Sequence, residues 1–366
     1  MDSITGSVDM ISDGTLPTSY IYRAELPSKG EDRTVVLPCE HGIIIAIFDG
    51  HCGSQLSEFA AEKLPVLLSE RLRENVDVEA VMRDTIQDFD RSLLLPVLAL
   101  FDENENWSDP KWLDTEREVY PRIGCTSKDE RYKAGIRATV GSTALIAFLD
   151  RQRKHLWVAS LGDCDAVCGR RKDDKWTQIF LSERYNCDNP DEIQRLGREH
   201  PNEPHVIQDD SLLGTLRVTR ALGDHQLKAP FFMATRVLPH FSPARLEPSE
   251  ILDWGVWTPP YMLSTPSIRH HDVLPGDLLL FASDGLRDVI HFPDERKFDI
   301  VLSLADGNVG HDIPLGHECI PAQEGDNVAQ RVIANVLFGT DDRKRARELD
   351  KRTYRDDISL VIISLK

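Results

Sequence analysis

No stretch of the 366-residue sequence stays apolar for the roughly eighteen residues that a membrane-spanning helix needs, so no bilayer span is expected. Basic residues are in deficit: 43 Lys and Arg stand against 61 Asp and Glu, a formal charge of -18. That balance argues against a nucleic-acid or anionic-membrane binder, because such proteins present positive charge to phosphate. Cysteine is sparse, seven residues without a dense spacing pattern, which suits free thiols in a reducing compartment and excludes a disulfide framework. Cys164 and Cys168 are close enough to share a metal, but no second Cys or His pair at zinc-finger spacing accompanies them, so they read as small buried hydrophobes. Lys and Arg are absent from Met1 to Tyr22, so neither a basic secretory n-region nor an Arg-rich transit peptide is written there. Rich in Ser, Thr, Gly and Asp, residues 1–22 read as a flexible tail. The expected setting is soluble and intracellular, cytoplasmic if the N-terminus is complete as given.

What the chain does contain is a series of short apolar runs separated by helical periods. Thr34 to Leu37 and Ile43 to Phe48 flank the turn-like Cys39-Glu40-His41-Gly42, predicting a hairpin that sets Asp32 opposite Asp49. Two helices are expected next, Ser54 to about Arg71 and a second carrying Met82, Ile86, Phe89, Leu93 and Val97, with Pro65 and Pro96 kinking or ending them. Thr143 to Leu149 with His155 to Leu161 predicts a further hairpin, followed by strands from Ala166 and over Thr177 to Leu181. Asn189-Pro190-Asp191-Glu192 opens a short helix, and Leu278 to Ala282 and Ile358 to Leu365 are buried strands with helices between them. Strand groups interleaved with helix pairs, without regular βαβ alternation, predict an α+β sandwich of two antiparallel sheets flanked by helices. One domain over residues 23–366 is expected, with insertions near 102–137 and near 228–275; the second is rich in Pro and aromatic residues and expected to be ordered.

The acidic residues fall where these strands end. Asp49 ends one run, Asp284 follows Leu278 to Ser283, and Asp356 precedes Ile358. Antiparallel pairing brings such positions to a single sheet edge, joined by Asp32 through the first hairpin and by Asp163 after Leu161. Each aspartate alone reads as a turn residue. Five together, with Asp-Gly repeated at Asp49-Gly50 and Asp284-Gly285, would repel one another strongly, and cations relieve that repulsion. Oxygen ligands with few His or Cys nearby point to Mg2+ or Mn2+. Two such ions can hold a bridging hydroxide for in-line attack and neutralise charge on a phosphoryl group, so phosphoester hydrolysis is the reaction class. His51, directly after Asp49-Gly50, is placed to protonate a departing alkoxide, and Arg33 is a candidate for substrate phosphate.

In chain order, the same segments resemble the protein phosphatase 2C, or PPM, family. They are Phe48-Asp49-Gly50-His51-Cys52-Gly53, Gly141-Ser142-Thr143-Ala144, Gly162-Asp163-Cys164-Asp165-Ala166-Val167, Thr219-Arg220-Ala221-Leu222-Gly223-Asp224, Ala282-Ser283-Asp284-Gly285-Leu286 and Arg355-Asp356-Asp357-Ile358-Ser359. The resemblance implies an αββα sandwich and a metal-dependent serine/threonine protein phosphatase. It also implies that Asp49 bridges two ions, that the Gly50 carbonyl binds one, and that Asp284 and Asp356 complete the pair. Glu31 and Asp32 would act through bound water, Asp163 would serve a third, looser ion, and His51 would be the general acid. Asp224 is left a structural role or a share in the looser site. Pro27 stands where many members carry a phosphate-binding Arg, making Lys29 or Arg33 the substitute; Arg287 replaces a common Trp, and Asp165 an Arg.

A narrower resemblance lies in Pro259-Pro260-Tyr261, Thr265-Pro266, Gly325-Asp326-Asn327-Val328-Ala329 and Tyr354-Arg355-Asp356-Asp357-Ile358, which is similar to the pyruvate dehydrogenase phosphatase branch. That branch also lacks the upstream Arg, and it implies phosphoserine on the dehydrogenase E1 subunit as substrate, in the mitochondrial matrix. Two other readings stand beside it: a catalytically silent phosphoprotein-binding adaptor with the same fold, and a two-metal phosphoesterase acting on nucleic acid or a small molecule. Intact candidate ligands weigh against the first, and the acidic charge with no basic, aromatic strip weighs against a nuclease.

Overall fold

The run Ile43 to Phe48 is apolar without alternation because both faces of its strand are covered. Ile43, Ile45 and Ile47 enter a core shared with a second sheet, whereas Ile44, Ala46 and Phe48 join a separate core beneath helices. Burying side chains of this size contributes about 1.5–3 kcal/mol each.

The computed structural model describes residues 4–11, 18–73, 76–101, 119–123, 129–173, 175–241, 246–307, 315–350 and 355–366. Its strands, in chain order, are β1 (Thr5–Ile11), β2 (Ser19–Leu26), β3 (Arg33–Cys39), β4 (Gly42–Phe48), β5 (Gly50–His51), β6 (Gly141–Ser142), β7 (Ala144–Asp150), β8 (His155–Leu161), β9 (Asp165–Lys172), β10 (Lys175–Phe180), β11 (Ile207–Gln208), β12 (Ser211–Leu212), β13 (Leu222–Gly223), β14 (Ser267–Asp272), β15 (Leu278–Ala282) and β16 (Ile358–Ser364). One antiparallel sheet has the order β1-β2-β16-β15-β9-β10 and the other β14-β8-β7-β4-β3. Their facing sides meet through Ile45, Leu145, Val158, Cys168, Phe281 and Val361. The helices Asp294–Ala305 and Val328–Leu337 cover the outer face of the first sheet, and Gln55–Arg71 with Val78–Leu98 cover that of the second. The four layers are the αββα sandwich expected from the sequence, and Cys164 and Cys168 are buried in it as small hydrophobes.

Several expectations need correction. Residues 1–22 are not simply a tail: Thr5–Ile11 and Ser19–Leu26 are strands of the first sheet, and Ile4 is buried. Side chains bridge to them from the far end of the chain, Asn327 Nδ2 donating to the carbonyls of Ser7 and Arg23 and Gln330 Nε2 to that of Ile4. Residues 1–3 and 12–17 of that segment lie outside the described residues. The insertion expected over 102–137 ends earlier, since Glu130–Thr139 is a helix capped by Asp129; residues 102–118 and 124–128 lie outside the described residues, as does Tyr354. The excursion from 228 packs its described residues into buried clusters, as Tyr261 and Met262 show, and stops short of Ser267, because β14 pairs with β8 as the edge of the second sheet; residues 242–245 lie outside the described residues. Pro65 does not end its helix, which runs on to Arg71 with Leu64 and Leu68 packed in the same core; the second helix ends soon after Pro96, at Leu98.

Candidate active site and metal centre

The predicted hairpin forms in the expected register, Arg33 opposite Phe48, which continues to Asp32 beside Asp49. The aspartates do not share one sheet edge, however. Asp49 leaves β4 in one sheet, while Asp284 follows β15 and Asp356 precedes β16 in the other, at matching ends because Ala282 pairs with Leu360. Asp32 and Asp163 occupy two of the places where the chain crosses between the sheets, from β2 to β3 and from β8 to β9. The five therefore converge across one end of the sandwich.

Electrostatics record that convergence. Burial pushes the Asp49 carboxyl well above the usual range, and the charges of Asp32, Asp284, Asp163 and Asp356 push it further. Burial, with Asp163 the leading neighbouring charge, raises Asp284 to about 8. Asp32 is pushed up to about 7 by burial and by Asp357 and Asp356, against an easing effect of Ser283 and Ser359. Both Asp32 carboxylate oxygens and Asp284 Oδ1 are buried without a hydrogen-bond partner. A buried charge left this way is costly, and a cation is the group that would satisfy it. The fit is to a hard divalent ion, because the converging donors are all oxygen.

A small three-stranded sheet positions the remaining parts. Gly50 pairs with Ser142 and His51 with Gly141, while Leu222 and Gly223 pair with the same two residues from the other side. The Thr143 N–H donates to the Asp49 carbonyl at 2.9 Å. His51 is thereby brought to Asp224, Nε2 to Oδ2 at 2.8 Å, with the Asp224 side chain fully buried. Gly141 permits this contact: a Cβ there would lie 1.9 Å from His51 Nε2 and 2.1 Å from Asp224 Oδ2. Asp224 thus positions His51, a role that its motif did not disclose.

Asp357 is the residue that sequence reasoning missed. Its Oδ1 accepts the backbone N–H groups of Ser28, Lys29 and Gly30 at 2.5, 2.7 and 3.1 Å, and its Oδ2 those of Glu31 and Asp32 at 2.5 and 3.1 Å. Burial works against its charge, yet these donors hold the carboxyl below its usual range. The loop bearing Lys29, Glu31 and Asp32 is in effect wrapped round one carboxylate. Glu31 in turn accepts from the Gly53 N–H at 2.5 Å. The signal available was the doublet Asp356-Asp357 before a strand, in which the second aspartate faces a different task from the first. Gly285 is equally constrained, since a Cβ there would stand 2.0 Å from the Asp357 carbonyl.

A cleft of about 990 Å³ is lined by Lys29, Asp49, Gly50, His51, Asp163, Asp284 and Asp356 together with the basic residues Arg184, Arg217 and Lys297. Lys29 Nζ lies 3.0 Å from Asp356 Oδ2. Arg33 is spent elsewhere, donating to the carbonyls of Gly30 and Asp32 and to Glu58, and is not among the cleft's lining residues. Arg220 is bound to the buried Glu192, which ties its motif to the helix Pro190–Glu199. The family departures at Asp165 and Arg287 prove to be partners: Arg287 Nη1 meets Asp165 Oδ2 at 2.6 Å and also donates to the Asp163 carbonyl at 2.9 Å.

Comparison with known proteins supplies the family and the fold. The family model for Protein phosphatase 2C matches residues 37–303. The chain is similar to human [Pyruvate dehydrogenase [acetyl-transferring]]-phosphatase 1, mitochondrial, at 26% identity over 93% of this chain and 76% of the relative. A protein phosphatase 2C homolog of Schizosaccharomyces pombe is 32% identical over 62% of this chain and 53% of its own. Among solved structures, the serine-threonine phosphatase 2C of Toxoplasma gondii matches with a TM-score of 0.55 at 16% identity, over 99% of this chain and 100% of that one, which shows the fold.

Proposed function

The chain belongs to the protein phosphatase 2C family, and from that premise we propose that its aspartate centre dephosphorylates phosphoserine on the E1 subunit of pyruvate dehydrogenase. The coarser activity, metal-dependent hydrolysis of phosphoserine and phosphothreonine on proteins, comes with the family. The observation that carries our assignment of the site is the set of buried, unpartnered carboxylate oxygens on Asp32 and Asp284 beside Asp49.

In this reading Asp49, the Gly50 carbonyl, Asp284 and Asp356 would hold two Mg2+ or Mn2+ ions, Glu31 and Asp32 would support them from further out, and Asp163 would serve a third, weaker position. When bound, the ions supply a water acidic enough to attack at neutral pH and positive charge to offset that of the phosphoryl group. His51 delivers a proton to the departing serine oxygen, and Asp224 fixes its ring through Nε2. Lys29, on the cleft wall, takes the substrate phosphate in place of the arginine that Pro27 displaces; Arg33, already committed to Glu58 and the loop carbonyls, does not. Asp357 keeps Lys29, Glu31 and Asp32 in register by holding their backbone.

The similarity to the pyruvate dehydrogenase phosphatases over 93% of the chain supports the substrate, and the mitochondrial matrix is the compartment that accompanies it. Among the described residues no helix is long and apolar enough to cross a membrane. The test is a comparison of dephosphorylation rates on phosphorylated E1 and on unrelated phosphoserine peptides. At least tenfold faster turnover on E1 is expected. Equal rates would remove the substrate assignment while leaving the phosphatase itself standing.

A further inference from the structure

At the outer edge of the second sheet, β14 and β8 pair with His155 opposite Asp272 and Trp157 opposite His270. Residues two apart on a strand share a face, so His270 and Asp272 stand on the same side of β14 as their cross-strand neighbours on β8. Three potential ligand atoms meet there. His155 Nδ1 lies 3.1 Å from Asp272 Oδ1 and 3.2 Å from His270 Nε2, and His270 Nε2 lies 3.8 Å from the same Asp272 oxygen. None belongs to the catalytic cleft, whose Asp163 follows the opposite end of β8.

We propose that His155, His270 and Asp272 form a site for a divalent transition ion of the Zn2+ class, separate from the aspartate centre. Ligands about 2.0–2.1 Å from a tetrahedral zinc stand about 3.3 Å from one another. The observed triangle, with edges of 3.1, 3.2 and 3.8 Å, is already close to that shape. Proton chemistry points the same way. With one proton among the three facing atoms, carried by either ring, at least two lone pairs are left facing each other or competing for it, whereas a cation accepts all three lone pairs at once. Two imidazoles and one carboxylate form a borderline donor set, unlike the all-oxygen centre in the cleft, and select Zn2+ over Mg2+. The side chains are 47%, 43% and 77% exposed, leaving room for water to complete the coordination. The framework is firm, because the His270 ring packs against Trp157 at 4.9 Å, and Trp157 stacks on Phe148. A second cluster, Cys168, His271 and Asp277, lacks this character, because Arg170 already neutralises the Asp277 carboxylate through contacts of 2.9 and 2.6 Å. An ion at the first site would cross-link the edge strand β14 to β8.

The test is Zn2+ titration by calorimetry of the whole protein in excess Mg2+, which keeps the aspartate centre filled. One saturating equivalent is expected. His270→Ala should weaken it at least tenfold and His155→Ala/His270→Ala should abolish it, with Mg2+-dependent phosphatase turnover and circular dichroism unchanged in both variants. Absence of saturable Zn2+ uptake, or uptake that persists in the double variant, would overturn the proposal.

Discussion

Arg287, which lines the catalytic cleft, is joined to Asp165 at 2.6 Å, both of them buried. Each is a departure from the family pattern, and together they preserve charge balance beside Asp163. Arg184 grips the other Asp165 oxygen at 2.8 Å, so the carboxylate is held between two guanidinium groups.

Removing Arg287 leaves the buried Asp165 with Arg184 alone, and removing Asp165 leaves the buried Arg287 with more distant carboxylates such as that of Asp163. Arg287→Met is expected to cost about 3 kcal/mol and Asp165→Leu a similar amount. The double substitution should cost less than the sum by at least ~1 kcal/mol. Urea unfolding of the four proteins measures this, and strict additivity would show that the pair is not energetically coupled.

Gly141→Ala would drive a methyl group into the contact between His51 and Asp224. The expected effect is a fall in kcat of about 100-fold with little change in KM, because misplacing a catalytic group by about 1 Å is enough for such a loss. Steady-state kinetics on a phosphoserine peptide would show it.

Asp357→Ala would strip five backbone N–H groups of their acceptor. Loss of hydrogen bonds to a charged acceptor predicts destabilisation of about 3 kcal/mol or more. Because the loop also carries Glu31 and Asp32, the Mg2+ concentration for half-maximal activity should rise at least tenfold. Asp357→Asn, which keeps one acceptor oxygen, should fall between.

The raised carboxyls make stability without metal depend on pH. Asp32 and Asp284 are pushed to about 7 and about 8, above their unfolded values near 4, so the folded state binds more protons than the unfolded state between those limits. Their stabilising protonation is complete below about pH 4 and is lost as pH rises through 7 to 8. The chelated protein should therefore melt at least ~5 °C lower at pH 8 than at pH 5.5. Added Mg2+ should raise the Tm more at pH 8 than at pH 5.5. Differential scanning calorimetry across this range is the measurement.

Much of the site was legible because strand ends are local features. The doubly buried run Ile43 to Phe48, its hairpin register and the aspartates flanking β15 and β16 all follow from apolar pattern and turn chemistry. Their meeting across two sheets was not legible, because it depends on which strands the crossovers through Asp32 and Asp163 enter. Asp357 acts on backbone 326 residues away and Asp224 on a ring 173 residues away, which no local pattern encodes. The strand Thr5–Ile11 escaped for a different reason: none of its side chains is fully buried, with Val8 and Met10 exposed and only Ile11 among its apolar residues packed on the core. Such a strand has no apolar alternation to detect.

The aspartate centre itself is tested most directly by phosphate release from phosphoserine and phosphothreonine peptides with Mg2+, Mn2+ or chelator, comparing the native protein with Asp49→Asn and Asp284→Asn. Turnover that requires the metal and falls by at least 100-fold in both variants is the expected result. Undiminished turnover in chelator, or in both variants, would contradict the account.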